Sequence, residues 1–522
     1  MNLASLAEQN LAEYGVYERL VFEGRGYTNR ELHDLSCRLA GALVGLGCRP
    51  GDKVVLMMPN APEVLVTYPA AWRAGLAIVP VLFVLEAREL AYILANSGAR
   101  VIVTSSDLAP KVEEATRGLD VHVLVSRGDR HVGWERAPQS VRPLPPGWLT
   151  FDALVEQSAP LADIVPRAPD DLATLLYTSG TTGQPKGVVQ THQNLGANAR
   201  NAWNSATVRR TDEISLLVLP LAHTFGLSTL IAGYLFGGRG VLMRRFDPER
   251  ALALIEEHKV TYMAGVPTMF VLMMRHPHAR KYDTSSVRRW LAGAAPMPVA
   301  QVVEFERTFG GAVYIGYGLS EASPSIAADR EGSPRKPGAT GVPLDGVEVK
   351  IVDDAGVEVP RGTVGEICAR GDNVSPGYYE NPEATADTFR DGWLFTGDMG
   401  YFDDDGYLFV VERKKDLIIR GGLNVYPKDV EDVILKHPAV LEAAVVGVPD
   451  ARMGEEVCAY VVKRPDAALT AEELVAYCQA SLAKYKTPRY VEFVEGLPRT
   501  SLGKIQKKEI RKLAAVRFER TE

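Results

Sequence analysis

Residues 172–187 read LATLLYTSGTTGQPKG. The apolar run Leu172 to Tyr177 has the length and texture of a buried strand. It gives way to Thr178, Ser179, Gly180, Thr181, Thr182 and Gly183, and then to Gln184, Pro185, Lys186 and Gly187. In α/β folds a loop at the carboxyl end of a strand is where ligands bind. Gly180, Gly183 and Gly187 let the backbone turn and bring its amides close to a ligand. Four hydroxyls add donors and Lys186 adds a positive charge, so the stretch reads as a phosphate cradle. It is not a Walker A loop, because no G-x-x-x-x-G-K-[ST] can be drawn through it. A polar surface loop is the plainer alternative, and the density of the pattern argues against it.

Outward from this loop the chain alternates strand-like and helix-like stretches. Upstream come DKVVLMM from Asp52, a helix-like stretch over 61–74, LAIVPV, a second helix-like stretch over 86–96, and ARVIVTS. Such alternation predicts a largely parallel sheet covered by helices. A Pro- and Arg-rich interval, 126–147, reads as an irregular excursion. Downstream the alternation continues to AVYIGYG, ending at Gly318. Beyond Gly341 the texture changes to short β-type runs separated by turns at 353–356, 361–362 and 403–406. A charged knot, ERKKD over 412–416, precedes about 100 residues of α+β texture, enough for a small domain. The expected division is therefore a large region 1–412 in α/β subdomains with a β-rich annex, a hinge 413–416, and a small mobile domain 417–522.

The totals agree with a protein of several domains. The chain has 522 residues, too many for one core. With 46% hydrophobic and 24% charged residues it has ordinary globular composition. The net charge of −7 gives no support to nucleic-acid binding. The charge is uneven: from Arg413 onward 20 Lys+Arg face 16 Asp+Glu, which suits a basic lid on an acidic body. The five cysteines form no C-x-x-C and no metal-like cluster, so a reducing compartment is expected. The first fifteen residues lack the basic and apolar regions of a signal peptide, and the apolar stretch 225–243 is broken by glycines and Arg239. A cytoplasmic location without a transmembrane segment is expected; a homodimer and transient contact with a membrane surface are both compatible with the composition.

Six further stretches follow the 177–187 loop in order: LPLAH (219–223), GAAP (293–296), YGLSE (317–321), TGD (396–398), the segment 412–427, and PRTSLGK (498–504). With these seven in collinear order the chain resembles the adenylate-forming superfamily of acyl-CoA synthetases, coumarate–CoA ligases, luciferases and peptide-synthetase adenylation domains. The resemblance spans nearly the whole chain. It implies ATP, Mg²⁺ and CoA as cofactor and co-substrates, and a small carboxylic acid as the partner.

Each motif has its own chemical sense within that resemblance. Gly316, Tyr317, Gly318 and Ser320 resemble the family's nucleotide strip: Tyr317 offers a face for a purine, Gly318 close approach, and Glu321 a carboxylate for Mg²⁺. The family more often has threonine at 320, and Ser320 keeps the hydroxyl. Gly293, Ala294 and Ala295 resemble the adenine-side backbone strip. Asp398 resembles the ribose-binding carboxylate, two oxygens matching two hydroxyls. Arg413 is expected on the nucleotide and Lys415 at the hinge. Gly421, Gly422 and Leu423 resemble the passage for CoA's pantetheine arm, and Ile419 stands where some relatives carry lysine. Lys504, behind the turn-like TSLG, resembles the lysine that bridges carboxylate and α-phosphate. Taken alone, a lysine beside Lys507, Lys508, Arg511 and Lys512 would be solvated.

The resemblance implies two half-reactions: acyl-adenylate formation with release of pyrophosphate, then transfer of the acyl group to CoA with release of AMP. Catalytic roles are expected for Lys186, His223, Glu321 and Lys504. Regional texture, FDPERALALIEEHKVTYMAGVPTMF included, is most similar to bacterial fatty-acid–CoA ligases. Expected walls of the acyl pocket are His223, Phe225, Gly226, Leu227, Val266, Ala294, Gly318 and Ala322. An aryl or alicyclic acid–CoA ligase, and a ligase that loads a carrier protein, are the alternatives. Lys186, Glu321, Asp398 and Lys504 are all present, which argues against a non-catalytic binder.

Overall fold

The computed structural model describes residues 2–127, 143–178, 184–206, 212–465, 467–499 and 505–518. Two large sheets form its body. The first has seven strands in the spatial order Leu149–Thr150, His122–Ser126, Val101–Ser105, Lys53–Met57, Ala77–Pro80, Leu172–Thr178 and Lys186–Thr191. Its strands run parallel apart from the last pair. The expected helices lie between them as Pro62–Arg73 and Ala87–Ser97. Val101–Ser105 is buried along its whole length, as a strand covered on both faces must be. Most of the irregular interval 126–147 lies outside the described residues.

The second sheet has nine strands. Ala312–Gly318, Arg289–Ala292, Tyr262–Gly265, Ile214–Leu217, Arg239–Leu242 and Glu18–Phe22 run parallel. Antiparallel strands flank them on each side. The helix Pro62–Arg73 explains how the two sheets are joined. All twelve of its residues are buried, Glu63 and Arg73 included, so the helix lies inside a core. One core cluster runs from Leu20 and Phe22 of the nine-stranded sheet through Tyr68 and Trp72 to Val54 and Val101 of the seven-stranded one. The polar tips of the two aromatics are satisfied at its ends: Trp72 Nε1 donates to Ala173 O at 3.0 Å and Tyr68 OH to Leu221 O at 2.9 Å. Those acceptors lie on the segments that lead to Lys186 and to His223.

The β-rich annex is an antiparallel sheet of Val347–Val352, Gly365–Gly371, Trp393–Phe402, Phe389–Arg390 and Leu408–Arg413. A 3₁₀ turn, Lys414–Asp416, leads from it to a second five-stranded sheet built from Ile418–Arg420, Leu423–Val425, Val440–Asp450, Gly454–Lys463 and Tyr490–Phe493. Helices Pro427–Ile434, Ala471–Gln479 and Lys507–Phe518 accompany this sheet, which has two core clusters of its own on Val445 and Val446. The apolar stretch 225–243 resolves into helix Thr224–Phe236 and strand Arg239–Leu242. Among the described residues no helix is long and apolar enough to cross a membrane.

Candidate active site

A cleft of about 2110 Å³ opens at the carboxyl ends of Leu172–Thr178 and Ala312–Gly318 and runs to the segment 505–511. Thr178, Lys186, His223, Phe225, Gly293, Ala294, Ala295, Gly316, Tyr317, Gly318, Ser320, Glu321, Asp398, Arg413 and Lys415 all line it. Residues separated by more than 200 positions therefore share one wall. Ser179, Gly180, Thr181, Thr182, Gly183 and Lys504 lie outside the described residues.

Lys186 opens the strand Lys186–Thr191, paired antiparallel with Leu172–Thr178, so Lys186 and Thr178 stand opposite each other in the register. Gly187 has a packing reason: a Cβ there would stand 2.9 Å from the Leu175 side chain. Glu321 lies in a 3₁₀ turn, Ser320–Ala322, just past strand Ala312–Gly318. Asn198 and Asn373 each donate to the carbonyls of Ala322 and Ser325, clamping that turn from two sides. Gln190 adds a bond from Nε2 to Ser320 O at 3.0 Å. The Glu321 carboxylate accepts the Tyr378 hydroxyl at 2.8 Å, and the Lys186 ammonium lies 5.2 Å from the centre of the same ring.

On the annex side Asp398 and Arg413 are register partners on adjacent strands. Asp398 Oδ1 is 3.0 Å from Arg413 Nε, and Oδ2 accepts the Tyr317 hydroxyl at 2.8 Å. The Asp398 carboxylate raises the pKa of Arg413, and burial raises that of the Tyr317 phenol, so both keep their protons. Gly318 serves the turn itself: a Cβ there would fall 2.0 Å from Pro324 O, so the space expected for close ligand approach holds backbone. Ala294 takes φ +69°, a left-handed conformation that costs energy for a residue with a side chain. A Cβ at Gly293 would meet the Phe225 ring at 3.2 Å, which sets that ring against the 293–295 strip. Val266, Met269, Leu291 and Ala294 complete an apolar cluster around Phe225.

Several expected residues stand elsewhere. Gly226, Leu227, Val266 and Ala322 do not line the cleft. Leu227 packs into the core between the two large sheets, and Ala322 into the core of the annex. Val266 stands behind Phe225, within the apolar cluster. His223 lines the cleft and also caps its own helix, Nδ1 accepting Phe225 N–H at 3.3 Å. Gly421, Gly422 and Leu423 are exposed in the hairpin after Ile418–Arg420 and do not line the cleft. Lys507 is not solvated: its ammonium is 2.9 Å from Glu412 and 3.0 Å from Glu431. Burial opposes its charge, but the two carboxylates outweigh burial and hold its pKa up. Arg511 pairs with Asp416 on the other side of the turn. Lys415, on that turn, has its pKa lowered by desolvation and by Arg413. Away from the cleft, Glu249, His276 and His278 group on the surface, where His278 Nδ1 meets Glu249 at 2.7 Å.

Tyr378, Asn198, Asn373 and Gln190 escaped the sequence analysis. None belongs to a charged or glycine-rich motif; only their partners mark them.

Known proteins align with this chain over nearly its whole length. The AMP-binding enzyme family matches residues 7–379, and the AMP-binding enzyme C-terminal domain matches 429–504. A long-chain-fatty-acid–CoA ligase of Bacillus subtilis (strain 168) is 35% identical, covering 97% of this chain and 94% of the relative. A feruloyl-CoA synthase of an Amycolatopsis species is 39% identical over 94% of each chain. Among solved structures, ATP-bound MatB from Rhodopseudomonas palustris is 32% identical with a TM-score of 0.88, covering 98% of this chain and 99% of that one. The apo form of the same protein scores 0.79, with 98% of each chain covered and 31% identity. This chain belongs to the AMP-binding enzyme family and is one of its adenylate-forming acid–CoA ligases.

Proposed function

We propose that the enzyme activates an aliphatic, fatty-type carboxylic acid with ATP and passes the acyl group to CoA in the cytoplasm. One observation carries this reading. A cationic and hydroxyl-rich end (Lys186, Thr178, Ser320), the Asp398–Arg413 pair and an apolar cluster around Phe225 share a single cleft. Lys186 holds the outer phosphates, Asp398 the ribose, and the 293–295 strip the adenine face. Glu321, with the hydroxyl oxygens of Thr178 and Ser320 on the same lining, is a hard-oxygen donor set that fits Mg²⁺. When bound with the triphosphate, Mg²⁺ supplies charge screening for the departing pyrophosphate. The protein needs no nucleophile of its own: positioning and fixed charge bring the acid's carboxylate to the α-phosphorus. Lys504 supplies the cation between those two anions, and His223 borders the acyl carbonyl.

The segment 1–412 acts as the body, 417–522 as the lid and Lys415 as the pivot. The arrangement described here is read as the adenylating one. Ile505, Gln506 and Lys507 line the cleft while the 421–423 hairpin does not, and the likeness is greater to ATP-bound than to apo MatB. Rotation about Lys415 then withdraws the 504–507 segment and brings Gly421 and Gly422 to the thiol's route. The test is a panel of acids of graded chain length, with aromatic acids beside them, compared by kcat/KM for acyl-CoA and AMP formation. Aliphatic acids should lead. The aryl reading is favoured instead by the 39% identity to feruloyl-CoA synthase, and a preference for cinnamate-type acids over every aliphatic one would decide for it. Accumulation of adenylate without acyl-CoA, alongside loading of an acyl carrier protein, would decide for a carrier-loading ligase.

A further inference from the structure

Tyr378 touches both charged side chains at the phosphate end of the cleft. Its hydroxyl donates to Glu321 Oε1 at 2.8 Å and its ring faces the Lys186 ammonium at 5.2 Å. No ion pair links Lys186 to a carboxylate among the described residues. From this we infer that Tyr378 is a positioning residue: it holds a cation and an anion on the same wall while keeping them from neutralising each other. The inference rests on the reading of Lys186 and Glu321 as the triphosphate and Mg²⁺ residues.

The backbone around Tyr378 is fixed on both sides. Its N–H donates to Thr385 Oγ1 at 2.9 Å, and Tyr379 N–H donates to Gly187 O at 2.7 Å. Val189 N–H donates to Gly377 O at 3.0 Å, and Ser375 N–H to the carbonyl of Glu321 at 2.8 Å. Residues 375–379 thus strap the Lys186 strand to the Glu321 turn. The Phe389 ring packs edge-on at 5.8 Å and leaves the phenol little freedom to turn.

The two contacts differ in kind. An ammonium over an aromatic face is held without losing its charge, so Lys186 stays available to an incoming phosphate. A neutral hydroxyl fixes one oxygen of Glu321 without neutralising the carboxylate, so its charge stays available to a metal. Removing the ring would let two opposite charges on adjoining segments collapse into a direct pair. A phosphate and a metal would then have to break that pair before binding.

Tyr378→Phe keeps the ring and removes the hydroxyl; Tyr378→Leu removes both. Calorimetric binding of ATP with and without Mg²⁺, and initial rates across Mg²⁺ concentrations, should be measured for both and for Glu321→Gln. Tyr378→Phe should bind metal-free ATP as the parent does but need roughly tenfold more Mg²⁺ for half-maximal rate, as expected for the loss of a hydrogen bond to a charged group. Tyr378→Leu should in addition bind metal-free ATP roughly fivefold more weakly, as expected when a Lys186–Glu321 ion pair must first be broken. If Glu321→Gln shifts the Mg²⁺ dependence and Tyr378→Phe leaves it unchanged, the positioning role is wrong and the Glu321 assignment stands. If neither shifts it, the Glu321 assignment falls and the inference falls with it. Lower melting temperatures for both Tyr378 variants, with unchanged Mg²⁺ dependence and ATP affinity, would make the residue purely structural.

Discussion

Asp398 and Arg413 face each other across two paired strands, Oδ1 to Nε at 3.0 Å, although one lies within the annex strand Trp393–Phe402 and the other ends Leu408–Arg413 at the turn to the small domain. The carboxylate is buried, whereas the guanidinium is about half exposed (51%) and so remains accessible to a ligand. The pair therefore couples the cleft wall to the start of the connection.

Asp398→Asn keeps the shape but removes the charge that orders both Arg413 and the Tyr317 hydroxyl. Affinity for AMP, measured by calorimetry, should fall by a factor on the order of 10–100, the worth of charge-assisted hydrogen bonds. Tyr317→Phe should cost about 1–2 kcal/mol of stability in urea unfolding, because a buried carboxylate loses one donor.

Leu291 lines the cleft and packs with Phe225 and Ala294. Leu291→Trp should shorten the space left for an acyl chain. The kcat/KM for long acids should drop by roughly 10–200-fold relative to short ones, the range that pocket volume alone supports. Equal losses for all chain lengths would place the acyl chain elsewhere.

Asp329 should show up in the pH dependence of stability. Burial raises its pKa to about 6; the Ile315 N–H, 2.8 Å from Oδ2, only partly opposes this. The folded state therefore holds the proton more tightly than the unfolded chain, for which the reference value is 3.8. The stabilisation is full below pH 3.8 and is lost as pH rises through 6. Asp329→Asn cannot ionise. It should flatten that slope and gain about 2–3 kcal/mol relative to wild type at pH 8, read by urea unfolding at several pH values.

The half-reactions should separate at Lys504. Two anions must meet during adenylation, and without a cation their approach is costly. Lys504→Ala should abolish pyrophosphate release yet keep most thioester formation from supplied acyl-adenylate and CoA. Lys415→Pro, which stiffens the pivot, should favour adenylation over thioester formation. Equal loss of both half-reactions in folded Lys504→Ala protein would contradict a two-pose cycle.

Much of the body was legible because buried parallel strands are continuous apolar runs: KVVLM and VIVTS announce themselves. The convergence of Lys186, Glu321 and Asp398 was legible only through the order of motifs, since no local pattern says that three distant turns meet. Leu227 was misplaced for a physical reason. Helix Thr224–Phe236 is apolar on all sides, so nothing in its pattern tells the cleft face from the core face. The burial of Lys507 is not legible in the sequence, because its partners Glu412 and Glu431 lie far back in the chain. Tyr378 carries no charge and follows no period, and its place became visible only once both partners had coordinates.

Lys507 also fixes where water must enter if the small domain turns. Glu412 belongs to the annex strand before the connection and Glu431 to the first helix after it, and one ammonium serves both. Any turning that separates the two carboxylates leaves the ammonium with one of them, and the other must be hydrated at that moment. If the small domain turns in this way, the parting of these three side chains at a single spot is a step on which dissolved salt acts. In that case ionic strength acts on turnover there as a solvent-borne throttle.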